Sequence, residues 1–223
     1  MITSLRSTRI LAFVAFALAG SATLSLPASA ATPDELIRPI QDQWAEIKYR
    51  LPEKQHAESY RMLASQARRV VEANPKLPEP LIWEGIVLSS EAGAAGGLGA
   101  LSLAKEARQR LDEALKIDDK ALRGSAYASL ATLYAKVPGW PVGFGDNERA
   151  EEYFRKALAI NPDGIDPNYF YGEYLSERGR QAEAVTHLEQ ALKAPARPGR
   201  ELADSGRRQE VQALLAKVKK DHR

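Results

Sequence analysis

Apolar residues recur at three- and four-residue intervals along most of the chain: Ile37, Ile40, Trp44 and Ile47; Leu63, Ala67, Val70 and Val71; Leu111, Ala114 and Leu115; Val211, Leu214, Leu215 and Val218. That spacing puts each set on one face of a helix. Runs that alternate apolar with polar residues, as a half-buried strand requires, are absent, so the pattern predicts an all-α chain. Start signals agree with it. Thr32-Pro33-Asp34-Glu35 supplies an N-cap candidate, a proline in the first turn and a glutamate three residues on, and Asp166-Pro167 repeats the cap-plus-proline start. These predict helix starts near 33 and 167.

The same helix ending occurs four times. Val70-Val71-Glu72-Ala73-Asn74-Pro75, Ala114-Leu115-Lys116-Ile117-Asp118-Asp119, Ala157-Leu158-Ala159-Ile160-Asn161-Pro162 and Ala191-Leu192-Lys193-Ala194-Pro195 are offset by 44, 43 and 33 residues. The last offset is close to the tetratricopeptide period of about 34, and the longer ones read as the same unit with insertions. In the last unit Tyr171, Gly172, Leu175, Gly179, Ala184, Leu188 and Ala191 fall at tetratricopeptide positions, with Asn168 departing where a bulky residue is usual. The middle unit matches at Tyr127, Leu130, Ala131, Tyr134, Ala150, Phe154, Ala157 and Pro162; the one before it matches at Leu81, Gly85, Leu88, Ala107, Leu111 and Ala114, with Glu84 in place of an apolar residue.

The chain therefore resembles the tetratricopeptide repeat family, and the resemblance implies a right-handed α-solenoid of helix hairpins. Small residues let paired helices approach and large ones fill the adjacent gaps. Four pairs are predicted: 33–50 with 54–73, 79–92 with 102–117, 121–136 with 147–160, and 167–178 with 181–193. A helix over 201–220, apolar on one stripe and basic opposite, is predicted to cap the open end. The expected domains are 31–199 for the repeats and 200–223 for the capping helix and tail.

Two insertions separate the helices of their pairs. Residues 90–101 carry four glycines among small residues. No strand precedes them and no Gly-Lys-Ser/Thr follows, which argues against a phosphate loop and for a tight connection or a helix extension. Residues 137–146 hold Pro138, Pro141, three glycines, Trp140 and Phe144, so an ordered loop is expected. Its two rings either plug gaps in the local core or form a lip over a groove, and Asp146 is placed to cap the next helix.

With these insertions the resemblance narrows. Gly96-Gly97-Leu98-Gly99-Ala100-Leu101, the 138–146 loop and the stretch from Asn161 to Gly172 look like segments of bacterial envelope tetratricopeptide proteins of the T-component type associated with TRAP transporters. That likeness spans roughly residues 75–195. It implies a non-enzymatic protein, homo-oligomeric with a trimer as one form, whose apolar channel serves a periplasmic solute-binding protein. By the family's pattern, the first helices present Ile82, Ile86, Ser89, Thr132, Lys136, Tyr169, Glu173 and Ser176 to a concave face. With Trp140 and Phe144 they make the candidate groove for a partner or ligand.

Composition adds limits. Residues 1–30 hold Arg6 and Arg9, no acid, an apolar run from Ile10 to Gly20 and Ala28-Ser29-Ala30. This is the pattern of a signal peptide cleaved after Ala30, which predicts a periplasmic product. The run is shorter than the ~20 residues of a membrane span. The chain has 31 Lys+Arg and 29 Asp+Glu, and removing the leader leaves 29 of each, so nothing points to nucleic acid. There is no cysteine, which excludes disulfides, cysteine-bound zinc and a lipidated leader cysteine. The histidines, His56, His187 and His222, form no metal-binding or catalytic spacing, so no enzyme, metal or cofactor is expected. Two readings follow: an envelope scaffold that docks another protein, and a module that encloses a lipophilic small molecule and hands it to a transporter.

Overall fold

A computed structural model describes residues 31–221; residues 1–30, on which the expected signal peptide falls, and residues 222–223, with His222, lie outside them. The helices are α1 Pro33–Arg50, α2 His56–Ala73, α3 Pro78–Ala95, α4 Gly97–Ile117, α5 Ala121–Lys136, α6 Asn147–Ile160, α7 Ile165–Glu177, α8 Gln181–Lys193 and α9 Glu201–Asp221, with a 3-10 turn at Glu53–Gln55. No strand occurs among the described residues. Successive helices pack as hairpins, and α1, α3, α5 and α7 also pack on one another in a ladder. That second set of contacts makes the array an α-solenoid, whose inner wall is the row of first helices.

The starts follow the local chemistry. Glu35 N donates to Thr32 Oγ1 at 3.3 Å while Thr32 N donates to Glu35 Oε2 at 2.7 Å, closing a capping box on α1. Asp146 accepts from Glu148 N and Arg149 N at 3.0 and 3.1 Å and caps α6. The expected cap at Asp166 does not form. Helix α7 begins at Ile165 with Gly164 before it, and the Asp166 carboxylate turns to Arg197 and Arg207 instead.

Small residues set the hairpin spacing. A Cβ built on Gly85 would stand 2.7 Å from Leu111 Cγ and 3.2 Å from Ala107 O; one on Gly172 would stand 2.8 Å from Leu188 Cγ and 3.3 Å from Ala184 O. Helix α3 meets α4, and α7 meets α8, in the same way. Gly85→Ala is expected to lower stability by about 1–3 kcal/mol, because the leucine below has no free volume to enter. Urea unfolding that leaves the midpoint unchanged would show that the hairpin can open without cost.

Both departures from the repeat pattern have a structural reason. Glu84, fully buried on α3, lies 3.1 Å from Arg68 Nε of α2 and 3.1 Å from Arg110 Nε of α4, the second without the angle of a hydrogen bond. Asn168 is also buried; its Nδ2 donates to Pro162 O and Gly164 O at 2.7 and 2.9 Å, fastening the turn between α6 and α7. Its Oδ1 accepts from His187 Nδ1 at 3.0 Å, so His187 serves this turn, and burial holds its pKa below the usual histidine value.

The first insertion is helical. It lengthens α3 to Ala95 and starts α4 at Gly97, leaving only Gly96, at φ +60° and ψ −170°, between them. A side chain there would be strained, which is why the sharp reversal falls on glycine. The second insertion is an ordered loop. Gly145 N donates to Pro138 O at 2.9 Å and Asp146 N to Tyr134 O at 3.0 Å, and Gly139 pairs with Gly145.

Helix α9 does more than cover the last hairpin. It packs on α8 and α7 and also reaches α1, the other end of the array. Gly206 makes the approach feasible, since a Cβ there would fall 2.3 Å from Tyr49 Cδ1. Tyr49 OH donates to Glu210 Oε2 at 3.2 Å, and Lys48 Nζ is 3.3 Å from Glu210 Oε1.

Candidate functional site

The inner wall of α1, α3, α5 and α7, closed across by α9 and the 194–200 segment, surrounds a cleft of about 1600 Å³. Helix α1 supplies Trp44 and Lys48; α3 supplies Trp83, Ile86, Ser89 and Ser90; α5 supplies Ser125, Ala128, Ser129 and Thr132; α9 supplies Arg207 and Glu210. The indoles of Trp44 and Trp83 stand edge to face with centroids 6.2 Å apart. Trp44 Nε1 donates to Ser90 Oγ at 2.9 Å, and Ser90 Oγ donates to Ile86 O at 2.9 Å, which fixes that wall.

Of the residues expected in a groove, Ile86, Ser89, Thr132 and Lys136 line the cleft. The other six lie elsewhere. Ile82 is fully buried, because α3 is packed between α1, α2, α4 and α5 and has little free face. Tyr169 is buried beneath Arg207, whose guanidinium carbon is 4.6 Å from the ring centroid. Glu173 lies 3.1 Å from Lys136 Nζ, which also bonds Glu177, and neither Glu173 nor Ser176 reaches the cleft wall. The two loop rings divide. Phe144 plugs the local core against Tyr134, at 5.5 Å, and under Arg108, at 4.4 Å, whereas Trp140 is 90% exposed and forms no lip.

The expected set omits the most strongly placed cleft residues. Trp44, Trp83, Arg200, Arg207 and Glu210 come from α1, α3, the C-terminal segment and α9. The apolar period marks Trp44 and Trp83 only as helix-face residues, and no sequence signal reports that α9 returns to α1.

Charge is organised around Asp166. Arg197 Nη1 and Arg207 Nε meet its two oxygens at 2.7 and 2.9 Å, Arg197 also bonds Asp204, and Arg207 Nη1 meets Glu210 at 2.6 Å. Burial alone would raise the Asp166 pKa, but Arg197 and Arg207 outweigh it and hold the carboxyl at about 2. A depressed carboxylate contributes stability that is complete above its unfolded value of 3.8 and is lost as pH falls toward 2. The side chain keeps 31% exposure, so the loss is expected to be at most about 2 kcal/mol. Unfolding measured across that window in wild type and Asp166→Asn should show the acid-dependent loss shrinking in the variant; parallel curves would remove Asp166 as its source.

A family model described as tetratricopeptide repeat matches residues 143–163, the end of the second insertion, α6 and the turn after it. No curated protein matches the chain. The match falls on the second helix of the third hairpin, and the packing of successive helices as hairpins is that of a tetratricopeptide-like all-α array, a repeat that commonly frames protein–protein contacts.

Proposed function

We propose that this protein is a binding scaffold of the cell envelope that docks a segment of another envelope protein in the cleft between its first helices and α9. The volume of that cleft carries the reading. At about 1600 Å³ it exceeds the roughly 300–1000 Å³ of ordinary small-molecule sites and runs along four successive first helices, as an extended segment requires. The leader pattern of residues 1–30 supports the envelope location.

A photo-crosslinking residue at Ser129 or Thr132, both on the cleft, tests this against the same residue at Met62 on α2, an exposed side chain that does not line it. Specific adducts in cells at the two cleft positions but not at Met62 are expected. Adducts at all three alike, or at none, overturn the reading.

A second reading, a lipophilic ligand held for a TRAP-type solute-binding protein, draws on one observation. The return of α9 to α1 walls the cleft on a side that an open solenoid leaves to solvent, and two buried indoles, Trp44 of α1 and Trp83 of α3, line it.

A further inference from the structure

The segment between α8 and α9 brings Arg200 to the cleft with no carboxylate in contact. Gly199 takes φ +70°, a backbone angle suited to glycine, and turns the chain so that Arg38 Nη1 can donate to Pro198 O and Gly199 O at 3.3 and 2.9 Å. That turn, tied to α1, sets the Arg200 guanidinium 4.9 Å above the Trp83 ring. Three neighbouring cations have carboxylates, Arg197 with Asp166 and Asp204, Arg207 with Asp166 and Glu210, and Lys48 with Glu210, while Arg38 is spent on the two carbonyls of the turn. Half-buried Arg200 has no carboxylate within 4 Å and no side-chain hydrogen bond among the described residues.

A second mismatch lies directly beneath. Trp83 is 5% exposed and its Nε1, a donor only, has no partner. Glu79, one turn earlier on α3, also lines the cleft with an unpartnered oxygen, yet it makes no ion pair with Arg200. The guanidinium stands over the indole, and its N–H groups are free to bond a ligand. A planar, two-oxygen anion matches that fork. Burial and the nearby Arg197 hold the Arg200 pKa below the usual arginine value despite the opposing fields of Asp166, Asp204 and Asp42, a cost that an anion in contact would relieve. Beyond Arg200 the cleft wall is mixed: Trp44, Ile86, Ala104, Ala128, Leu133 and Val137 give it apolar surface, interleaved with the hydroxyls of α3 and α5.

We propose that the Arg200 end of the cleft is a subsite for an organic carboxylate with an apolar body, the carboxylate taken by the guanidinium edge and the body laid along the wall of α1, α3 and α5. This rests on the small-ligand reading of the cleft and names its chemical class. Guanidinium over indole is the fixed half of the site; the ligand supplies the missing charge.

Titration of the delipidated protein with decanoate and with its neutral counterpart decanol, read by calorimetry, tests the subsite. Decanoate is expected to saturate a single site and to bind about tenfold or more tightly than decanol, the usual worth of a charged hydrogen-bond partner. Arg200→Gln should weaken decanoate by about tenfold and leave decanol unchanged, while Arg69→Gln, an exposed arginine of α2 that does not line the cleft, should change neither. Equal binding of the two probes by wild type, no saturable decanoate binding, or selectivity that survives Arg200→Gln overturns the proposal. The wild-type comparison stands even if the variant fails to fold. Loss of decanoate selectivity together with specific cleft crosslinks would remove this subsite and leave the protein-docking reading intact.

Discussion

Glu84→Ala is expected to lower unfolding free energy by about 3 kcal/mol, near the lower end of the ~3–5 kcal/mol found when one partner of a buried ion pair is removed. Glu84 is fully buried, and its two oxygens lie 3.1 Å from Arg68 and Arg110, which come from the helices on either side of α3. Those arginines also bond Glu106 and Glu113, so Glu84 is the centre of a five-residue charge chain joining the first and second hairpins. Alanine removes the carboxylate, leaves two guanidinium groups facing each other and opens a cavity in the close-packed layer. Their side chains are 43% and 25% exposed, so both can turn toward water, which places the expectation at the lower end. Glu84→Leu with Arg68→Met and Arg110→Met should recover most of the loss, because a packed apolar cluster of similar volume replaces the ions. Urea unfolding followed by far-ultraviolet circular dichroism checks both. A loss under about 1 kcal/mol for Glu84→Ala would show that the buried charge is not a structural clamp.

Arg207→Ala should cost a similar amount, about 3–4 kcal/mol, and should act at the opposite end of the array. The Arg207 side chain is 7% exposed, lies 4.6 Å from the ring centroids of both Tyr169 and Phe170, and bonds Asp166 and Glu210. Removing it takes away two cation–ring contacts and leaves Asp166 to Arg197 and Glu210 to Lys48. Lysine should rescue little, since one ammonium cannot lie flat between two rings and reach two carboxylates as a fork does. Because these contacts seat α9 between α7 and α1, hydrogen exchange in Arg207→Ala should accelerate in α9 and the last turns of α1 before it does in α3. Uniform acceleration would mean that the closure has no separate stability.

Much of the architecture was legible in the chain because it is written in local terms. Thr32 with Glu35 and Asp146 are caps whose partners lie within three residues, and Gly85 opposite Leu111 and Gly172 opposite Leu188 belong to hairpins whose spacing the repeat dictates. Over residues 90–101 small residues and glycines permit both a connection and a helix, and packing of α3 on α4 selects the helix. The groove was less legible. Ile86, Ser89, Thr132 and Lys136 face the cleft as the repeat pattern implies, yet Ile82 and Tyr169 are sealed by neighbours far away in sequence, and the pattern does not separate exposed Trp140 from packed Phe144.

The sequence alone determined that the chain is α-helical, where nearly every helix begins and ends, and that its helices pair as repeats, because capping, glycine at close approaches and apolar period act over a few residues. Only the tertiary structure decided that α9 comes back to α1 and borders the cleft, that Glu84 and Asn168 are buried polar fasteners, and that Arg200 stands over Trp83 with no carboxylate in contact. Those outcomes depend on which distant surfaces meet when the solenoid curves. Curvature is the sum of small rotations at every hairpin, and no single stretch of the chain carries it.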